Sequence, residues 1–120
     1  MNSIRDVEIW DHEQLRSSLG VMSLIMPKLI DTFLTQTGAF LTNIQEQSQP
    51  QLLLTAHSLK GSAAQLCCKR LASMSAQIEL ELKQPNCTNI QAHRQILAAE
   101  IMAARSEMTS FLLQSNGDTP

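Results

Sequence analysis

The stretch Ala56-His57-Ser58-Leu59-Lys60-Gly61-Ser62-Ala63-Ala64 holds the residues of this 120-residue chain best suited to chemistry. On a helix, positions i, i+3 and i+4 lie on one side, so His57, Lys60 and Gly61 share a surface patch. The patch combines a nucleophilic imidazole nitrogen, a fixed ammonium and bare backbone. That combination suits holding a phosphoryl group while another protein docks over it. A free imidazole, with a pKa of ~6.5, is largely neutral near pH 7 and keeps a lone pair for attack. It needs no separate activating base, and the phosphoramidate it forms is labile enough to pass the group onward. Catalysis of phosphoryl transfer is mostly positioning and charge stabilisation. Lys60 supplies part of that charge, and Lys69 and Arg70 either add positive potential or stand as solvated surface charge.

A lone helical histidine is most often a packing or solvated residue, and local features set His57 apart. It lies beside, not within, the apolar stripe Leu52, Ala56, Leu59, Ala63 and Leu66. Gly61 costs about 1 kcal/mol relative to Ala inside a helix. No folding gain offsets that cost, so a side chain there would obstruct something. His12, in the first turn of a short helix, and His93, beside the stripe of the last helix, have structural or solvent roles. Met22, Met26, Met74, Met102 and Met108 read as core or core-edge filler. The sequence contains no Glu-x-x-His motif of the kind that builds metal sites in helical bundles. Cys67 and Cys68 are adjacent and Cys87 is distant, a spacing unlike a ligand pair, so the three cysteines read as reduced thiols, at least two of them packed.

The elements that must position this patch are helices. The first spans Asp11 to Leu19, capped by Asp11 and ended by Gly20. A long helix follows from Ser23 to Gln47, with Ile30, Phe33, Thr37, Phe40, Leu41 and Ile44 at helical spacing. Pro27 fits its first turn, or its first position if the helix begins after Met26. Gly38 is a weak point in its interior. Ser48-Gln49-Pro50 breaks the chain before the histidine helix, Pro50 to Leu66. A fourth helix runs from Lys69 to Lys83 on a stripe of Leu71, Met74, Ile78 and Leu82. After Pro85-Asn86, Thr88 caps a fifth that reaches Gln114. Short connections favour antiparallel neighbours. The expected fold is therefore all-α, an antiparallel up-down four-helix bundle with an additional short N-terminal helix. It forms one domain over residues 1–120, with a helical core over 11–114 and a flexible tail over 115–120.

Composition agrees with that architecture and excludes other classes. Aromatic residues are 3% of the chain and tyrosine is absent, so the core is built from aliphatic helix formers. The net charge of −2 and the lack of interleaved basic and aromatic residues argue against a nucleic-acid binder. No uninterrupted apolar run approaches the ~18 residues of a membrane span, and the start lacks a signal-peptide core. No membrane contact and a cytoplasmic location are the expectations. Walker-type and Gly-rich nucleotide loops are missing, so kinase activity of its own is not expected.

His57-Ser58-Leu59-Lys60-Gly61-Ser62-Ala63 resembles the signature of histidine-containing phosphotransfer (HPt) domains of bacterial multistep phosphorelays. The resemblance extends upstream through Leu52 and Ala56. Downstream it continues through Leu71, Ile78 and Glu79, and in all it covers roughly Asp11 to Gln114. It implies that His57 is the phosphorylated residue, that Lys60 stabilises the phosphate, and that Gly61 admits a docking receiver domain. Ala64 and Gln65 lie at the periphery of that patch. It further implies response-regulator receiver domains and a hybrid sensor kinase as partners. The chain would act as a monomer without a cofactor of its own, and Mg²⁺ would sit in the receiver. One departure is Cys67, where the family commonly has glycine at the turn after the histidine helix. The competing reading is a helical adaptor that docks a signalling partner without being phosphorylated.

Overall fold

A computed structural model of the chain describes residues 7–117, with side chains through residue 114. The helices are α1 (His12–Leu19), α2 (Met26–Asn43), α3 (Gln49–Gln65), α4 (Lys69–Leu82) and α5 (Ile90–Gly117). Short 3₁₀ turns, Gly20–Ile25 and Ile44–Glu46, flank α2. No strand occurs among the described residues.

Contacts between helices fix their relative directions. Gln49 of α3 donates to the Leu82 carbonyl of α4, while His57, further along α3, meets Glu79, further back on α4. Arg70 and Glu81 of α4 pair with Glu100 and His93 of α5 in the same reversed order. Arg105 of α5 donates to the Leu34 carbonyl of α2, and Gln91 to Gln45 just past its end. Each of these neighbouring pairs is therefore antiparallel.

The core has the aliphatic character that the composition requires. Ile30 and Phe33 of α2, Leu52, Leu59 and Ala63 of α3, and Leu71, Ile78 and Leu82 of α4 are buried. They pack with Leu97, Ile101, Ala104 and Met108 of α5. Thr37 is fully buried and satisfied, donating to the Phe33 carbonyl and accepting from Arg105. At Gly38 a Cβ would make only ordinary van der Waals contact, 3.5 Å, with the Arg105 guanidinium that lies across α2.

The segment before α1 ties the bundle together at one end. Trp10 is buried, and its indole N–H donates to the Leu66 carbonyl at 2.8 Å. The Asp11 amide donates to the Cys67 carbonyl, and the Arg70 amide to the Glu8 carbonyl. The Trp10 ring meets Phe111 of α5 edge-on, with centroids 5.3 Å apart. Asp11 caps α1 by accepting from the Gln14 amide.

Several elements differ from the sequence expectation. The long helix over Ser23 to Gln47 is shorter in its α-helical part, because Gly20 adopts a positive φ and the chain runs through a 3₁₀ turn before Met26. Pro27 then falls in the first turn of α2, where a missing N–H costs nothing. Thr88 does not cap α5: the Asn89 carbonyl accepts the first helical bond, from the His93 amide. At its far end α5 continues to Gly117, so 115–117 are helical rather than tail, and 118–120 lie outside the described residues. Met22 and Met102 are exposed and Met74 is half-buried, with Ser75 taking the inward position on α4. The helical run His12–Glu46 also contains a window of mean hydropathy 1.3, long and apolar enough by composition to cross a membrane, although only 17% of it is buried. It joins the inward face of α2 to exposed Val21, Met22 and Leu24 in the preceding turn.

Candidate functional site

The site begins with the register of α3. Ser48 starts the helix with a capping box: its hydroxyl accepts from the Gln51 amide, and the Gln51 side chain accepts from the Ser48 amide. With Leu52, Ala56, Leu59 and Ala63 turned into the core, the His57 ring is turned outward and is 65% exposed. Gly61, Ala64 and Gln65 are exposed on the same helix. A Cβ on Gly61 would meet nothing within 4 Å, so packing within this chain does not require glycine there.

The second component comes from α4. Ile78 and Leu82 anchor that helix in the core, and this holds Glu79 against α3 with its side chain only 6% exposed. One carboxylate oxygen, Oε2, lies 2.7 Å from His57 Nδ1. The other, Oε1, lies 2.6 Å from Lys60 Nζ. Lys83, one turn along α4, brings its ammonium to 3.8 Å from Oε2.

These distances bear on the tautomer of the ring. The hydrogen bond from Lys60, and then that from His57, hold the Glu79 carboxyl down at about 2 against the opposing effect of burial. At neutral pH Glu79 is ionised and can only accept hydrogen bonds. The hydrogen on His57 Nδ1 is therefore donated to Oε2. In the neutral ring that fixes the tautomer and leaves the lone pair on Nε2, on the side away from Glu79. An exposed imidazole is thereby held in one orientation, with its Nε2 lone pair free.

A family model for the Hpt domain matches residues 28–112. The chain belongs to the Hpt domain family. Hpt domains carry out histidine phosphotransfer in two-component phosphorelays, without kinase activity, and interact there with receiver domains and kinases. Comparisons with curated proteins and with solved structures give no match. The matched span begins in α2, so α1 and the Trp10 segment lie outside it.

Within this Hpt domain Lys69 and Arg70, for which the sequence leaves added potential and solvated surface charge both open, are taken up in ion pairs. Lys69 is engaged with Asp11 at 3.1 Å, and Arg70 forks onto Glu100 at 2.7 and 2.8 Å. Both are neutralised at the α3–α4 turn, so they lend little potential to His57. The second cation near the ring is Lys83. Gln65 lines a groove between α2 and α3 with Leu29, Thr32, Phe33, Gln36 and Ser62, one turn beyond Gly61. Among the described residues no cluster of three or more His, Cys, Asp or Glu side chains could hold a metal ion.

The turn after the histidine helix keeps its form despite the cysteine. Cys67 adopts φ of 62°, the left-handed conformation that glycine usually fills. Its amide donates to the Ala64 carbonyl and the Cys68 amide to the Ala63 carbonyl, the two bonds of a Schellman motif. All three cysteines are free. Burial pushes the Cys68 thiol up to about 12, so it is inert packing.

Glu79 is the residue whose role the sequence reading missed. It was visible only as one match in a downstream pattern. A physical signal was nonetheless present: His57 and Glu79 stand equally far from Cys68 on either side of a tight turn. Antiparallel packing brings such positions level.

Proposed function

We propose that His57 Nε2 accepts a phosphoryl group from the aspartyl phosphate of one receiver domain and passes it to the aspartate of another. The observation that carries this reading is the bond from His57 Nδ1 to a buried, ionised Glu79. In the forward step the Nε2 lone pair forms the N–P bond. The acyl-phosphate O–P bond breaks, and the aspartate leaves as a carboxylate with the electron pair. The proton on Nδ1 stays in place, and Glu79 stabilises the positive charge that the ring acquires. Return transfer reverses each change.

The other residues take roles that fit their positions. Lys60, half-exposed and paired with Glu79, swings its ammonium toward the phosphoryl oxygens. Gly61 leaves space for the approaching receiver, which supplies Mg²⁺ and its acidic pocket. Ala64 and Gln65 form the edge of the contact. The domain needs no cofactor of its own and works as a cytoplasmic monomer, either as a free carrier or as the histidine-bearing module of a hybrid sensor kinase.

The test uses a phosphorylated receiver domain and Mg²⁺, with transfer of phosphate followed to this chain. Acid-labile, alkali-stable label should appear on the native protein and vanish in His57→Gln. Label that persists in His57→Gln would remove His57 from the reaction. Absence of any label across a panel of receivers, with normal partner binding, would favour the adaptor reading.

A further inference from the structure

Glu79 faces more positive charge than the unphosphorylated site requires. Lys60 and His57 approach it from α3, and Lys83 approaches from its own helix. Lys60 and His57 already occupy the two carboxylate oxygens at hydrogen-bonding distance. Lys83 stands further off, at 3.8 Å, beside the same Oε2 that accepts from His57. Its side chain is about half exposed, so it is free to close that gap.

Charge conservation shows when the gap would close. Before transfer the site holds Lys60, Lys83, an ionised Glu79 and a neutral ring. Transfer adds a phosphoryl dianion at Nε2 and leaves a positive ring that keeps its Nδ1 hydrogen. Lys60, which holds Glu79 Oε1 at 2.6 Å, must share its donors with the phosphoryl oxygens once they arrive, and the dianion is the stronger attractor. As Lys60 turns, Glu79 loses its closest cation while its hold on the ring becomes more important. We propose that Lys83 is a positioning residue that takes over the charge of Glu79 when Lys60 moves to the phosphoryl group, so that the carboxylate keeps its grip on Nδ1 of phosphohistidine. This deepens the phosphorelay reading and rests on it. Lys83 touches no reacting atom and acts only through Glu79.

A lysine at the C-terminal end of α4 also suits the helix dipole, so the test must separate the two roles. The full chain is loaded with phosphoramidate, whose P–N bond breaks with loss of ammonia as the Nε2–P bond forms. Exchange of the Nδ1 hydrogen of His57 with solvent is then followed by ¹⁵N-resolved NMR, in the free and in the phosphorylated protein. Lys83→Gln should leave exchange in the free protein nearly unchanged, because Lys60 holds Glu79 there. In the phosphorylated protein it should speed exchange by about two- to fivefold, the bias an exposed ion pair can exert. Lys83→Arg should restore the native rate. Equal effects in both states would mean a helix-end role and overturn the inference, as would no effect in either state. Failure of the native protein to take phosphate on His57 would overturn the phosphorelay reading itself and this inference with it.

Discussion

At the scale of the residue, the pairing of His57 with Glu79 turns an ordinary side chain into a directed one. Imidazole can react through either nitrogen, and here the buried carboxylate claims one of them. Replacing Glu79 by Gln removes an ionised acceptor that holds the ring. A hydrogen bond to a charged group contributes about 1.5–3 kcal/mol. Glu79→Gln should therefore slow phosphotransfer by about 10- to 100-fold, measured as a single-turnover rate from a phosphorylated receiver. A variant that transfers at the native rate would show that the ring needs no orientation. The same residue sets a pH dependence of folding. Its carboxyl titrates at about 2 in the folded protein, against an ordinary value of 4.5. The unfolded chain binds that proton more readily, so the stability Glu79 contributes is complete above about pH 4.5 and drains away as pH falls toward 2. Denaturant unfolding at pH 6 and pH 3 should show a larger loss for the native protein than for Glu79→Gln. Parallel losses would mean that the carboxylate is not held in the folded state.

At the scale of the element, α3 carries a residue that weakens it, and the turn that ends α3 carries a strained one. Gly61 weakens the helix by about 1 kcal/mol relative to Ala, yet a Cβ there would touch nothing in this chain. Gly61→Ala should raise the melting temperature, whereas Gly61→Leu should slow transfer from a receiver and leave loading by phosphoramidate unchanged. Equal slowing with both donors would place the obstruction at the ring and not in the docking surface. Cys67 carries the opposite burden. Its left-handed backbone costs a residue with a Cβ about 1–2 kcal/mol, so Cys67→Gly should stabilise the protein by about 1 kcal/mol with transfer intact. A lower melting temperature would show that the half-buried thiol contributes more through packing than its backbone costs.

This helix also shows what was legible in the sequence. Its outward face followed from the apolar spacing of Leu52, Ala56, Leu59 and Ala63, because a period of 3.6 residues leaves no choice of face. The capping box was legible too, since Ser48 and Gln51 have its spacing, but it passed unread. Glu79 was harder, because its meaning depends on a second helix and on the direction in which that helix returns. The pairing of Lys69 with Asp11 and of Arg70 with Glu100 is a tertiary fact that no local pattern records. Helix ends were least legible. The 3₁₀ turn at Gly20–Ile25 and the start of α5 after Asn89 arise from individual backbone angles and not from periodicity.

At the scale of the whole molecule, the chain before α1 closes the end of the bundle at which α3 turns into α4. Trp10 fills the space beneath Phe111 and donates to the carbonyl of Leu66, the C-cap of the histidine helix. That contact ties the C-terminal end of α3 to α5 on the other side of the core. Truncating a buried Trp to Ala costs about 3–5 kcal/mol, and Trp10→Ala should lower stability by that amount in denaturant unfolding. Trp10→Phe keeps most of the packing and loses the N–H, at about 1–3 kcal/mol for a carbonyl left unpaired. If both variants unfold like the native protein, the segment is an ornament and not a tie. Stability and transfer should also separate: Trp10→Phe, still folded at 25 °C, should transfer phosphate normally.

These scales meet at one atom, Nε2 of His57, and its identity can be read directly. The protein is labelled with ¹⁵N at its histidine rings, phosphorylated by a receiver domain, and examined by ³¹P–¹⁵N correlation NMR. The expected result is a single phosphoryl group on Nε2 of His57, with the Nδ1 hydrogen still in place. Phosphate on Nδ1, or on His12 or His93, would contradict the role assigned to Glu79 and with it the central claim.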